Sequence, residues 1–327
     1  MPNRVRRKRR RRNPARILLA VVLIAAAAYA GIHCLLFQKP QQVQAVEQLN
    51  EEEQNAEQAQ VDEEAEALRS HQERKADFYT ILVSGVDDGN GNSDTNILVA
   101  VDTAGGSIYG VSIPRDTKAV WNGKSHKINA AFGSGGIEKL ADVIGDQLGI
   151  PVDYTVQVDL KGFVALVDAI GGVDFDVPID MNYEDPYQDL YIHIPAGMQH
   201  LSGEEALKVV RFREGYASQD IARMETQQAF LKAVAQQTLQ VSNLTKVDQF
   251  VKIFQQYVET DLTLGNLAWL GSKAISIGAE NVAFSTLPGE WKSPYIYLNK
   301  EETLTLVNEH LNPYVEDRVA EDLNIPD

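Results

Sequence analysis

Residues 78–113 read FYTILVSGVDDGNGNSDTNILVAVDTAGGSIYGVSI. Three short runs rich in β-branched and aromatic residues, FYTILVSGV, NILVAVD and SIYGVSI, are separated by Gly, Asn and Asp, the pattern of successive strands and turns. Downstream, GIEKLADVIGDQLGI has helical spacing, YTVQVDL returns to strand, KGFVALVDAIGG is again helical and VDFDVPI again strand. Strands alternating with helices of about 10–15 residues predict a layered α/β domain with helices on both faces of the sheet. Ser202 and Glu205 form a capping box that opens a helix in SGEEALKVV, and a long helical stretch runs from about Asp220 through Leu239. A helix over Leu264–Ile277, a strand over Asn281–Thr286 and a helix over Glu301–Leu311 follow, with no linker between Phe78 and Tyr314. The reading is one domain over residues 76–314 and an unstructured tail over 315–327.

Ahead of the domain the composition changes twice. The 327 residues carry a formal charge of −16, yet residues 1–16 hold nine Lys or Arg and no acid, leaving −25 for the remainder. Next to this basic tail, Ile17–Phe37 reads ILLAVVLIAAAAYAGIHCLLF, which as a helix spans about 31 Å and is long enough to cross a bilayer once. A basic run flush against such a segment reads as a positive-inside anchor rather than a nucleic-acid patch, so no nucleic-acid partner is expected. The expected topology is a single-pass protein of the cell membrane with a cytoplasmic amino terminus and an extracytoplasmic domain. Ala28-Tyr29-Ala30 offers a cleavage site as the competing reading, but the apolar run continues to Phe37 and favours an uncleaved anchor. Residues 38–75, rich in Gln, Glu and Ala and without aromatics or glycine, read as a helical or flexible stalk. The single cysteine, Cys34, excludes an internal disulfide.

Arginine is scarce in residues 76–327, five against twelve lysines, yet Arg211, Arg213 and Arg223 fall within RFREGYASQDIAR and Arg115 within SIPRD. Guanidinium forks suit phosphate oxygens, so a cluster in an acidic domain points to a localised anionic ligand. Pairing with Asp116, Glu214 and Asp220 is the alternative use of the same side chains. Arg211 and Arg213, at i and i+2, share a face if that segment is extended, while Arg223 and Gln227, at i and i+4, share a helix face. Together they predict a groove between a strand-like segment and a helix. Asp87 and Asp94 flank the glycine-rich turn after the first strand, hard oxygen ligands suited to Mg²⁺. An EF-hand is excluded, since Ser93 stands where the loop needs Gly and Val99 where it needs Glu. No Walker loop, GxSxG, CxxC or HExxH is present.

The ordered set ILVSGVDD, NSDTNILVAVD, VSIPRDT, KINAAF, LVDAIGGVDFDV, GMQHLSGEEALKVVRFR and DIARMETQQ resembles the LytR-CpsA-Psr family of bacterial cell-wall proteins over most of residues 78–311. The resemblance implies a three-layer αβα domain with a central mixed sheet that binds a polyprenyl diphosphate, its tail in an apolar tunnel and its diphosphate in an arginine-rich pocket with Mg²⁺, Mn²⁺ being the alternative ion. Carried over by position, Asp87 and Asp94 hold the metal. Arg115, Lys127, Arg211, Arg213, Arg223 and Gln227 contact the diphosphate, supported by Asp116, Asn129 and Asp220. Arg115, Asp116, Arg211, Arg213 and Arg223 form the expected catalytic set. Where the family commonly has arginine ahead of Ser-Asp-Thr, this chain has Asn92. The implied activity is transfer of teichoic acid, capsule or a related glycopolymer from polyprenyl diphosphate to a peptidoglycan hydroxyl through a phosphodiester. A polyprenyl diphosphate phosphatase and a non-catalytic lipid-binding regulator of envelope biogenesis are the alternatives.

Overall fold

The computed structural model describes residues 37–43, 73–86, 93–187, 190–212, 219–239 and 247–326. In chain order the first elements are β1 (Phe78–Val86), β2 (Ser93–Asp102), β3 (Ser107–Ile113), β4 (Lys118–Trp121), β5 (Lys124–Lys127), α1 (Asn129–Leu148), β6 (Tyr154–Asp159), α2 (Leu160–Ile170) and β7 (Val173–Val177). Then come β8 (Met181–Asp185), β9 (Leu190–Ile194), β10 (Gly197–Leu201), α3 (Gly203–Arg211), α4 (Gln219–Thr238), α5 (Val247–Tyr257) and β11 (Val258–Thr260). The last are α6 (Leu264–Ile277), β12 (Val282–Thr286), β13 (Gly289–Lys292), β14 (Tyr295–Leu298) and α7 (Lys300–Leu306).

Six strands form the central sheet in the order β11-β6-β1-β2-β3-β12. β1 is parallel to β6 and β3 to β12, whereas β2 is antiparallel to both its neighbours, so the sheet is mixed. The near-continuous apolar runs of β1 and β2 follow from burial on both faces. Alternation in β1 sends Phe78 and Leu82 towards Leu140, Ile144 and Leu148 of α1, and Tyr79 and Ile81 towards Leu270 of α6. Trp269 meets Tyr79 edge-on at 5.7 Å, and burial, with Asp77 nearby, raises the Tyr79 phenol well above its usual range. A further core joins α2, α3 and α4 to the small two-stranded sheets β7–β10 and β8–β9 through Val167, Phe175, Ile192, Val209 and Phe230.

The capping box is present: Ser202 accepts from the Glu205 amide at 3.4 Å and Glu205 Oε2 accepts from the Ser202 amide at 2.9 Å. These bonds to Ser202 hold the Glu205 carboxyl below its ordinary range. α1 ends at Gly149 in the left-handed conformation, φ 65°, and a Cβ there would also meet the Asp322 carbonyl at 2.4 Å. Both the turn and the close approach require glycine.

That approach corrects the reading of residues 315–327 as an unstructured tail. Residues 315–326 pack on the domain: Leu323 is buried, Arg318 lies over the Tyr314 ring at 4.2 Å, and Asn324 donates to Asp146 at 2.8 Å. The stalk reading is corrected at both ends. Gln38 donates to the Gly265 carbonyl at 3.1 Å, and Tyr154 donates its hydroxyl to Gln41 at 2.6 Å. Arg74 forms a buried two-pronged pair with Asp153, both prongs 2.8 Å, and also reaches the Val43 carbonyl at 2.7 Å. Residues 43 and 74 therefore meet at one carboxylate. Among the described residues no helix is long and apolar enough to cross a membrane; residues 1–36, which include the expected basic tail and most of the anchor, lie outside them.

Candidate functional site

β1, β3, β6 and β12 run in one direction, so their carboxyl ends share one edge of the sheet, where β2 begins. Motifs far apart in sequence converge on that edge, the usual place for ligands in α/β sheets. β3 delivers Pro114-Arg115-Asp116 into a turn closed by the Thr117 hydroxyl and amide, both donating to the Pro114 carbonyl at 2.7 and 3.0 Å. The β4–β5 hairpin carries the chain out and back, placing Lys127 opposite Lys118. Ile128 donates to the Thr117 carbonyl at 2.8 Å and Asn129 to that of Arg115 at 3.2 Å. α1 starts here with a short turn that breaks at Gly135 and Gly136 (φ 74° at Gly136) before the helix resumes towards Leu148.

The result is two cations around one carboxylate. Lys127 Nζ lies 2.9 Å from Asp116 Oδ1 and Arg115 Nε lies 4.0 Å from the same oxygen. All three side chains are partly exposed, leaving a net positive patch open to a ligand. The β13–β14 hairpin closes one side: Ile296 donates to the Asp116 carbonyl at 2.9 Å, and the Trp291 ring lies 5.9 Å from Lys127 Nζ.

Arg211 is the last residue of α3, followed by buried Phe212 in extended conformation. The strand-like reading of this segment is corrected at Arg211, which the helix opened by the capping box includes, while Phe212 is extended. Gln227 of α4 donates to the Val210 carbonyl at 3.5 Å while the adjacent Gln228 donates to Thr286 Oγ1 of β12 at 3.0 Å. α4 thereby links the Arg211 end of α3 to the carboxyl edge. Arg115, Asp116, Lys127 and Asn129 are brought together directly, and Arg211 and Gln227 join through α4. Asp87, Asn92 and Arg213 lie outside the described residues, as do the side chains of Asp94 in β2 and of Asp220 and Arg223 in α4.

Sequence reasoning missed the polar atoms beneath this edge. Ser84 donates to Asn96 Oδ1 at 3.0 Å, but Asn96 Nδ2, Ser93 Oγ and Ser285 Oγ are buried with no hydrogen-bond partner among the described residues. Interiors rarely leave such groups unpaired, and the only signal was a Ser or Asn at the end of an apolar strand. Nor was it legible that Val83 of β1 and Val99 of β2, on central strands, are only partly buried, with Ile108 and Val156 beside them. The sheet face towards α6 is incompletely covered there.

The sequence model of the LytR_cpsA_psr family matches residues 39–313. The polyisoprenyl-teichoic acid–peptidoglycan teichoic acid transferase TagV of Bacillus subtilis is 33% identical over 196 residues, 57% of this chain and 50% of that protein. A transferase of the same description, TagU of Bacillus cereus, is 37% identical over 194 residues, 58% of this chain and 62% of its own. The TagU of Halalkalibacterium halodurans is 30% identical over 252 residues, covering 73% and 80%. The chain thus spans between half and two thirds of the length of the first two relatives. Among solved structures, Bacillus subtilis TagV superposes with a TM-score of 0.62 at 28% identity over 74% of this chain and 100% of that one. TagT bound to LI-WTA gives a TM-score of 0.58 at 23% identity, over 72% and 89%, a likeness of fold alone. A match that runs from residue 39 through the last helix makes the assignment plain: the chain belongs to the LytR_cpsA_psr family.

Proposed function

We propose that this protein transfers a teichoic acid or related glycopolymer from a polyprenyl diphosphate carrier to a peptidoglycan hydroxyl. The observation that carries the reading is the convergence of Arg115 and Lys127 on Asp116 at the carboxyl edge of the sheet. The names of the relatives that match at 30% identity or more point the same way.

In this reading the hydroxyl oxygen attacks the sugar-side phosphorus and gives up its proton to solvent, the bond from that phosphorus to the bridging oxygen breaks, and polyprenyl phosphate leaves. Arg115, Lys127, Arg211, Arg213 and Arg223 neutralise the charge on the phosphoryl oxygens, which in phosphoryl transfer is the main contribution a protein makes. Asp116 orients the first two cations, and Asn129, Asp220 and Gln227 support the pocket. The polyprenyl tail lies along the incompletely covered apolar face at Val83 and Val99. Asp87 and Asp94 would hold Mg²⁺, which supplies further charge neutralisation. The buried, unpartnered Ser93 Oγ next to Asp94 fits an oxygen-rich site of that kind. The domain works outside the cell, carried by the apolar segment at 17–37.

The test is lipid binding. Organic extraction of the purified protein should yield polyprenyl phosphate or diphosphate, and Arg115→Ala should lower diphosphate affinity at least tenfold without changing the fold. Undiminished affinity in that variant would remove Arg115 from the pocket.

A further inference from the structure

We infer that the exposed ring of Trp291 is a subsite for the sugar bonded to the carrier diphosphate, an inference that rests on the phosphotransfer reading above. Trp291 is 54% exposed, and a single exposed aromatic needs no explanation by itself. Its anchoring does. Trp291 pairs across the hairpin with Ile296, whose amide is bonded to the Asp116 carbonyl at 2.9 Å and which also bridges to Thr117. The Tyr295 hydroxyl ties the same hairpin to the Ser125 carbonyl at 3.3 Å. The strand that carries the ring is therefore tied to the turn that carries Arg115, and Lys127, the cation paired with Asp116, lies 5.9 Å from the ring.

A diphosphate held by Arg115 and Lys127 has its first sugar one bond away from the phosphorus. The ring then lies where that sugar must project. A pyranose presents a face of C–H bonds polarised by neighbouring oxygens, which packs on the negative face of an indole much as the positive edge of another ring does. An exposed aromatic on an anchored hairpin, next to a charged group, is the usual make-up of a site that combines orientation with affinity. The acceptor sugar has the same chemistry, but only the donor sugar is covalently bound to the group that Lys127 contacts.

The test compares a polyprenyl diphosphate bearing one N-acetylhexosamine with the same polyprenyl diphosphate without sugar, measuring Kd for the parent, Trp291→Ala and Trp291→Phe. Trp291→Ala should bind the glycosylated ligand about fivefold to tenfold more weakly, the usual scale of one aromatic contact. It should bind the bare diphosphate as the parent does and keep the parent Tm, and Trp291→Phe should recover most of the loss. Equal losses on both ligands would mean that Trp291 merely holds Lys127, and would overturn the inference. So would no loss, or a change confined to KM for the peptidoglycan acceptor. A parent that binds neither ligand would instead bring down the phosphotransfer reading, and this inference with it.

Discussion

At the residue scale, the chain uses its arginines in two opposite ways. Arg74 is buried on Asp153, whose oxygens also accept from the Thr80 amide at 2.9 Å and the Val43 amide at 2.8 Å. Replacing Asp153 with Ala takes the counter-charge from a buried guanidinium, which keeps only the Val43 and Phe78 carbonyls, and leaves two amides without partners. It should cost about 3–5 kcal/mol, the range for a broken buried pair, read as a lowered denaturation midpoint. Arg115 is partly exposed beside a partly exposed Asp116, so Arg115→Ala should leave stability within about 0.5 kcal/mol while transfer falls. A change in urea midpoint as large as that of Asp153→Ala would show that Arg115 is structural. Arg115 was legible in the sequence because SIPRD ends a strand and guanidinium is rare in this domain. Arg74 was not, because its surroundings are Gln, Glu and Ala and its partner lies 79 residues away. Burial also raises Tyr79, Tyr154 and Tyr314 above the ordinary phenol value of 10.0. A raised folded-state pKa gives stability that is complete below the unfolded value and lost as the pH rises past it. Thermal scans should therefore show a falling Tm above about pH 10, and a Tm rising there would contradict the burial of these phenols.

At the element scale, α3 connects a cap to a residue of the proposed pocket. The Ser202–Glu205 box fixes where the helix begins, and Arg211 is its last residue. Ser202→Ala should cost about 1 kcal/mol, measured by chemical denaturation. Because Glu205 is held below the ordinary carboxyl value of 4.5, the box stabilises above that value and its contribution is lost as the pH falls through the lowered pKa. The gap between parent and Ser202→Ala should therefore narrow towards low pH, and a gap independent of pH would argue that the carboxylate takes no part. Helices and long strands were legible here: Leu264–Ile277 was expected with the bounds the structure has, and the box was visible as S-x-x-E. The hairpins β4–β5 and β13–β14 were not, since four-residue strands such as KSHK and GEWK carry too little periodicity. Those hairpins bring Lys127 and Trp291 to the same turn; Lys127 was named through the family resemblance, whereas nothing in the sequence singled out Trp291.

At the scale of the whole molecule, the sheet edge and the two chain segments flanking the domain decide the account. The mixed sheet and its helical layers were readable from alternating strands and helices, but the return of residues 73–75 and 314–315 to each other was not. Arg74 bridges Tyr314, and Val315 donates to the Glu73 carbonyl at 2.8 Å, contacts that local pattern cannot register. The central claim concerns the carboxyl edge, and the most direct measurement is product analysis with purified protein, Mg²⁺, a polyprenyl diphosphate-linked glycopolymer and peptidoglycan. The account predicts polymer joined to peptidoglycan by a phosphodiester together with released polyprenyl phosphate, both lost in Arg115→Ala at unchanged Tm. Free polymer phosphate with no wall-linked product, or full transfer by Arg115→Ala, would contradict it.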